Sequence, residues 1–107
     1  MCILFDQGTP VPLRNLLSPQ HTVETAFERG WNTLKNGELL ALAEREGFDV
    51  FVTTDRNLRD QQNLGGRRIA IIVLSSTSWP RIQKAATAVT QAIDTALPGS
   101  FKEVEIS

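Results

Sequence analysis

The sequence predicts an α/β domain with a mostly parallel central sheet between two layers of helices. Short apolar runs at residues 2–5, 49–54 and 69–74 have the composition of strands that are buried on both faces. Segments with a 3.6-residue apolar period follow or separate these runs. Strands that alternate with helices in this way are typical of parallel sheets with right-handed crossovers. A chain of 107 residues is long enough for one such domain.

The composition limits the classes of function. The chain is 41% hydrophobic and 21% charged, with a formal net charge of −1. A nearly neutral chain has no global attraction to nucleic acid or membrane, so any RNA contact must come from a local basic patch. Its single cysteine, Cys2, cannot form an internal disulfide, and no apolar run approaches the roughly 20 residues that cross a bilayer. We therefore expect a cytoplasmic protein that does not span a membrane.

The first half of the chain predicts two strands, two helices and a turn. The predicted elements are a strand at 2–5, a short helix at 13–17, a strand at 21–25, a helical turn at 26–29 and a helix from the N-cap Asn36 to Gly47. Leucines at 13, 16 and 17 form an i, i+3, i+4 stripe. That helix ends at Ser18-Pro19 because a residue before proline avoids helical backbone angles. Asparagine favours helix starts and glycine favours helix ends.

The second half continues the alternation. The predicted elements are a strand at 49–54, a polar helix at 57–63, a strand at 69–74, a long helix from 79 to about 97 capped by Ser78, and a strand at 101–106. The last strand alternates apolar and polar residues, so we expect it at an edge of the sheet with one face in water. The whole order is β-α-β-α-α-β-α-β-α-β.

Acidic residues follow two of the predicted strands. Asp6 comes directly after the first strand and Asp55 after the third, and Glu38 lies in the first turn of the helix before that third strand. The carboxyl ends of parallel strands meet at one edge of the sheet, where α/β proteins bind ligands. A crossover helix begins over the same edge. We therefore expect the three carboxylates to converge.

Converging carboxylates repel one another and need a cation between them. Oxygen ligands favour Mg²⁺ or Mn²⁺, and Asn57 could add an amide oxygen. Such a metal lowers the pKa of a bound water and neutralises phosphate charge, which is the chemistry of phosphodiester hydrolysis. Arg56 and Arg59 are the candidates for contact with RNA phosphates.

Each of these acids also has a purely structural interpretation. Asp55 and Asn57 could cap the polar helix that follows them. Glu38 is an ordinary first-turn acid, which the helix dipole favours. Asp6 could start an Asx turn. Spacing alone leaves both interpretations open.

Three blocks of the sequence resemble the PIN-like domain family, most closely the short bacterial proteins associated with toxin–antitoxin systems. The blocks are ILFDQ at 3–7, NGELL at 36–40 and VTTDRNL at 52–58, and their order and spacing agree with the family pattern. The resemblance implies a single PIN-like domain over residues 1–107 with Mg²⁺- or Mn²⁺-dependent ribonuclease activity. It also implies RNA as substrate, a cognate antitoxin protein as partner and a homodimer as the assembly. By position, Asp6, Glu38 and Asp55 match the family's catalytic acids.

Neutral residues occupy three positions where the relatives often carry acids: Gln7, Asn36 and Asn57. Each lost carboxylate removes charge from a site for a hard cation. A second hypothesis is therefore a catalytically weak or inactive PIN-like module that binds a partner protein or RNA. A third is a receiver-like domain, in which Asp55 would accept a phosphoryl group.

Overall fold

The computed structural model describes residues 1–58 and 67–107, and five strands within these ranges form one sheet. The strands are β1 (Cys2–Phe5), β2 (Thr22–Thr25), β3 (Val50–Thr53), β4 (Ala70–Leu74) and β5 (Phe101–Val104). Their order across the sheet is β2-β1-β3-β4-β5, and every neighbouring pair is parallel. The predicted α/β class and the parallel sheet are confirmed.

Helices connect these strands. The described helices are a 3₁₀ turn (Val11–Leu13), α1 (Arg14–Leu17), α2 (Asn36–Arg45), α3 (Trp79–Lys84) and α4 (Ala86–Asp94). As predicted, α1 ends before Ser18-Pro19, and the hydroxyl of Ser78 caps α3 by accepting from the Arg81 backbone N–H. No described helix has the length and apolar content needed to cross a membrane.

Alternate residues of the three inner strands enter two separate cores. One core joins the first face of the sheet to α1, α3 and α4: Ile3, Phe5, Leu13, Leu17, Val50, Val52, Ala70, Ile72, Leu74, Ile82, Val89, Ala92 and Ile93. The other joins the second face to α2: Leu4, Leu39, Leu40, Ala43, Phe48, Phe51, Leu58, Ile71 and Val73. Full burial of a side chain such as Phe51 contributes about 1.5–3 kcal/mol. The sheet is therefore covered on both faces, as its apolar runs predict.

The outer strands are β2 and β5, and both are partly exposed. In β5, Lys102 and Glu103 face water while Val104 is buried. The prediction that the last strand lies at an edge is confirmed.

The predicted long helix is interrupted at Ala85, which has φ −97° and ψ 18°. Neither proline nor glycine lies at the break. Ile82 before it and Val89 after it are both fully buried in the same core. The break divides the packing: α3 contacts the 3₁₀ turn, whereas α4 contacts α1 and β5. The single helix predicted from 79 to about 97 is therefore wrong: two shorter helices take its place, and the second ends at Asp94. Most of the predicted polar helix at 57–63 lies outside the described residues.

The chain leaves the adjacent strands β1 and β3 towards opposite faces of the sheet. After β1 it enters the core that contains Leu13 and Leu17. After β3 it enters the other core through Leu58. Diverging connections from neighbouring parallel strands open a crevice at their carboxyl ends, which is the usual ligand site of such sheets.

Candidate functional site

Asp6 and Asp55 stand on either side of this crevice. Phe5, the last residue of β1, is in register with Val52 of β3. The Asp6 N–H then donates to the Val52 carbonyl at 3.1 Å and extends the ladder by one bond. Asp55 lies two residues beyond the end of β3. The sheet register therefore sets the backbone positions from which the Asp6 and Asp55 side chains project.

The carboxylate of Asp6 is buried and accepts hydrogen bonds from neutral donors. The Thr9 hydroxyl donates to its Oδ1 at 2.7 Å, and the Thr53 hydroxyl donates to its Oδ2 at 2.5 Å. Thr53 is itself fully buried, and Asp6 is 5% exposed. Burial of a carboxylate is costly unless its oxygens are hydrogen-bonded. These two threonines meet that requirement.

A third neutral donor, the side-chain amide of Asn36, joins the two acids. Its Nδ2 lies 3.3 Å from Asp6 Oδ2 and 3.2 Å from Asp55 Oδ2. A primary amide carries two hydrogens, so one nitrogen can donate to both carboxylates. The predicted convergence of Asp6 and Asp55 is thus seen, with Asn36 between them.

Asn36 reaches this position because the helix starts one residue earlier than the sequence predicts. The N-cap is Lys35, with φ −76° and ψ 160°, and Asn36 is the first residue of α2. The Lys35 carbonyl accepts from the Leu39 N–H at 2.9 Å. Since Asn36 does not cap the helix, its side chain is free to turn towards the end of the sheet.

Glu38 does not join the aspartates, contrary to the expected convergence. Its Oε1 accepts from the Lys35 backbone N–H at 3.0 Å, and the side chain is exposed. This is the local helix-start role of a first-turn acid. Within residues 1–58 and 67–107, no three acidic, histidine or cysteine side chains form a group that could hold a metal ion.

The remaining predicted site residues lie around Asp55 or beyond it. Asn57 is exposed, and its backbone N–H donates to Asp55 Oδ1 at 3.0 Å. Arg56 is exposed, and its Nη2 lies 3.9 Å from Glu105 Oε1. Arg59 lies outside the described residues.

A cleft of about 450 Å³ opens over the two aspartates. The residues that line it are Asp6, Gln7, Gly8, Asn32, Leu34, Lys35, Asn36, Leu39 and Asp55. Lys35 is the basic residue of this lining, and the sequence search for arginines near Asp55 missed it. The sequence feature that indicates Lys35 is its position at the start of a crossover helix, because such a helix begins over the carboxyl edge of the sheet.

The loops after β1 and β3 approach each other closely at one side of the cleft. A Cβ added to Gly8 would lie 2.4 Å from the hydroxyl oxygen of Thr54. Real Cβ atoms do not approach another atom this closely, so glycine is required unless Thr54 moves. The close approach holds the segment after Asp6 against the segment that leads to Asp55.

A second cavity of about 470 Å³ lies at the opposite, amino edge of the sheet. Two acids line it, and both already accept backbone hydrogen bonds. Asp49 Oδ2 accepts from the Cys2 N–H at 2.9 Å, and Glu44 Oε2 accepts from the Arg68 N–H at 3.1 Å. At the amino edge, Asp49 links the chain before β3 to the start of β1, and Glu44 links α2 to the chain before β4. The cleft at the carboxyl edge instead presents two facing carboxylates.

Chemically, the carboxyl-edge site is a set of oxygen donors. Two carboxylates converge, and half a turn of the Asn36 amide would present its oxygen where its nitrogen now lies. Oxygen-only sets bind hard cations such as Mg²⁺ and Mn²⁺. The oxygen donors of this cleft are of the type that such ions take.

Comparison of the chain with protein-family models, curated protein sequences and solved structures gave no significant match.

Proposed function

We propose that the chain is a PIN-like, metal-dependent ribonuclease that hydrolyses RNA phosphodiester bonds at the Asp6–Asp55 cleft. One observation carries the proposal: both strand-end carboxylates approach the same atom, Asn36 Nδ2, at the β1/β3 crevice. The resemblance of residues 3–7, 36–40 and 52–58 to PIN-like domains supports the same conclusion.

The proposed ligands of Mg²⁺ or Mn²⁺ are Asp6, Asp55 and the side-chain oxygen of Asn36. When bound, the ion would supply Lewis acidity and a more acidic water for attack on phosphorus. Asn36 takes a place that the sequence assigned to Glu38, since Glu38 serves its own helix start. The set carries two negative charges, which matches one divalent cation.

The protein's own groups have separate tasks in this proposal. Thr9 and Thr53 hold the Asp6 carboxylate in one orientation before any ligand arrives. Lys35 lines the same cleft and provides a positive charge for a phosphate oxygen. Arg56 remains a proposed contact for an RNA phosphate, since its ion pair with Glu105 is exposed and contributes little stability.

The biological setting follows from the resemblance alone and is equally a proposal. Proteins of this type act as toxins and are bound by a cognate antitoxin, commonly as homodimers. On this proposal, the antitoxin would block the cleft or its approaches, and RNA would be the substrate.

The test is cleavage of a labelled single-stranded RNA in Mn²⁺ buffer. We expect cleavage by the wild type and its loss in Asp6→Asn and Asp55→Asn, which keep the side-chain shape. Asp49→Asn, at the opposite end of β3, is the matched control and should cleave normally. Absence of cleavage by the wild type in both Mn²⁺ and Mg²⁺ would overturn the proposal.

A second candidate function is a non-catalytic module that binds RNA or a partner protein. The favouring observation is that neutral groups alone already satisfy Asp6, so no cation is required to keep the acids together. RNA binding without cleavage, unchanged by Mn²⁺, would support this candidate.

The receiver-like alternative has one specific supporting observation, the strand order β2-β1-β3-β4-β5, which doubly wound receiver domains share. In that case Asp55 would form an acyl phosphate with a small phosphodonor such as acetyl phosphate. Intact-mass measurement detects the added phosphoryl group. An Asp55-dependent mass increase would favour this alternative over hydrolysis.

A further inference from the structure

A third, smaller cavity of about 190 Å³ adjoins the acid site on the side of β2. Asp6 and Gln7 line both this cavity and the larger cleft. The far wall consists of Val11 and Phe27, which are 54% and 74% exposed. Single exposed apolar residues are common on protein surfaces. These two differ because they line one cavity that shares Asp6 and Gln7 with the proposed catalytic cleft.

The sheet register places Phe27 beside the Asp6 end of β1. Phe5 is in register with Thr25, and the Phe5 carbonyl accepts from the Ala26 N–H at 2.9 Å. Phe27 is the next residue. Adjacent strands lie about 4.8 Å apart. A ligand that extends across the carboxyl edge from β3 over β1 to β2 would therefore pass from the acids to the Phe27 ring.

The turn that carries Phe27 is held by several hydrogen bonds. The Phe27 carbonyl accepts from the Gly30 N–H at 3.0 Å, and the Glu28 N–H donates to the Thr25 hydroxyl at 3.1 Å. Glu28 also pairs with Arg14 of α1. The aromatic ring thus projects from a turn whose backbone is held by hydrogen bonds. This order lowers the entropy cost of binding a ligand on the ring.

From this arrangement we infer that Phe27 and Val11 form a binding site for an unpaired nucleobase beside the Asp6–Asp55 cleft. An aromatic face stacks on any base, and unpaired bases are accessible only in single strands, loops and bulges. The side chains of Gln7 and Thr25 line the same cavity. Gln7 Nε2 already donates to the Asn32 carbonyl, and the Thr25 hydroxyl accepts from the Glu28 N–H. The Gln7 Oε1 and the Thr25 hydroxyl hydrogen are therefore the polar groups offered to a base edge. The inference rests on the proposed function and adds a base-binding subsite beside its cleft.

The test is fluorescence anisotropy with a labelled single-stranded RNA of about ten nucleotides, within the usual site sizes of single-strand binders. Binding is measured in Ca²⁺ buffer, so that a divalent cation is present. We expect Phe27→Ala to weaken binding about tenfold or more and Val11→Ala to weaken it less. Leu97→Ala is the matched control, because Leu97 is 68% exposed and lines the cavity at the opposite edge of the sheet.

Phe27→Trp provides a readout that a merely structural role would not change. Its indole should retain binding and lose fluorescence when RNA is added, beyond any change that the native Trp31 and Trp79 give in the wild type, because a stacked base quenches it. A duplex of the same sequence should bind more weakly than the single strand to the wild type. Both expectations follow from stacking of an unpaired base.

The inference is overturned if Phe27→Ala binds the single strand as tightly as the wild type, or if the wild type does not bind it. Unchanged binding would instead indicate that Val11 and Phe27 contact a protein partner. The outcome is separable from that of the proposed function. Cleavage that survives Phe27→Ala unchanged contradicts only the base site, whereas Phe27-dependent binding without any cleavage contradicts only the ribonuclease proposal.

Discussion

Asp6 and Asp55 accept hydrogen bonds from one and the same nitrogen atom, although 48 intervening residues separate them in the chain. The distances from Asn36 Nδ2 are 3.3 Å and 3.2 Å. The two carboxylates come from adjacent strands whose connections diverge, so the fold itself brings them together. A neutral amide keeps them close without a cation and occupies the position of a prospective metal ligand.

Replacement of Asn36 by alanine should destabilise the metal-free protein by about 1–3 kcal/mol, because Asp6 and Asp55 lose their shared donor. Asn36→Asp should destabilise it as well, through charge repulsion, and should gain more stability than the wild type when Mn²⁺ is added. Urea unfolding with EDTA or Mn²⁺ measures both effects. Asn15→Ala, an exposed change in α1, is the control. Equal stability of Asn36→Ala and Asn15→Ala would contradict the bridging role.

Thr53→Val should cost about 1.5–3 kcal/mol of unfolding free energy. The change keeps the side-chain shape but removes the hydroxyl that donates to Asp6 Oδ2 at 2.5 Å in a fully buried position. Thr22→Val, an exposed threonine of the edge strand β2, serves as the matched change and should be nearly neutral. If the two variants unfold at the same urea concentration, the Thr53 hydroxyl does not stabilise the Asp6 carboxylate.

Gly8→Ala should destabilise the protein by about 1–3 kcal/mol, because its new Cβ would overlap the Thr54 hydroxyl. In a Thr54→Ala background the clash disappears, and the same change should be neutral or slightly stabilising. A double-mutant cycle measured by thermal unfolding isolates this coupling. An identical effect of Gly8→Ala in both backgrounds would show that the two loops do not meet there.

Glu28→Gln should destabilise the protein at neutral pH and make no difference in acid. The Arg14 guanidinium beside Glu28, together with the Thr25 N–H, holds the pKa of that carboxyl below its usual value. A carboxyl whose folded pKa is lowered adds stability above its unfolded pKa, and this stability is lost as pH falls through the folded pKa. Urea unfolding across a pH series follows the difference between the two proteins. Exposed Glu103→Gln is the control, and a Glu28→Gln effect that persists in acid would contradict the ion pair.

The strands were the most predictable part of this fold, because runs such as Val50–Thr53 are apolar on both faces and the register then follows from the sheet. The break at Ala85 was not predictable, since nothing in the local sequence opposes a helix there.

At the cleft, strand-end positions predicted that the Asp6 and Asp55 carboxylates lie close together, as the structure shows. The positions of Asn36 and Glu38 depend on where α2 starts. A shift of one residue in the N-cap moved Asn36 into the cleft, and the short local bond to Lys35 kept Glu38 out of it. Helix starts depend on competition between local hydrogen bonds of similar strength, so sequence alone does not determine them to one residue.

Titration calorimetry of Mn²⁺ into the metal-free protein tests the central claim most directly. The wild type should bind one Mn²⁺ per chain. Asp49→Asn should do the same, because it removes a charge only from the opposite end of β3. Asp55→Asn should lose the binding heat, because it removes a charge from the cleft itself. Binding that requires Asp55 and not Asp49 is the predicted result. No binding by the wild type, or equal binding by the wild type and Asp55→Asn, would contradict a metal site between Asp6 and Asp55.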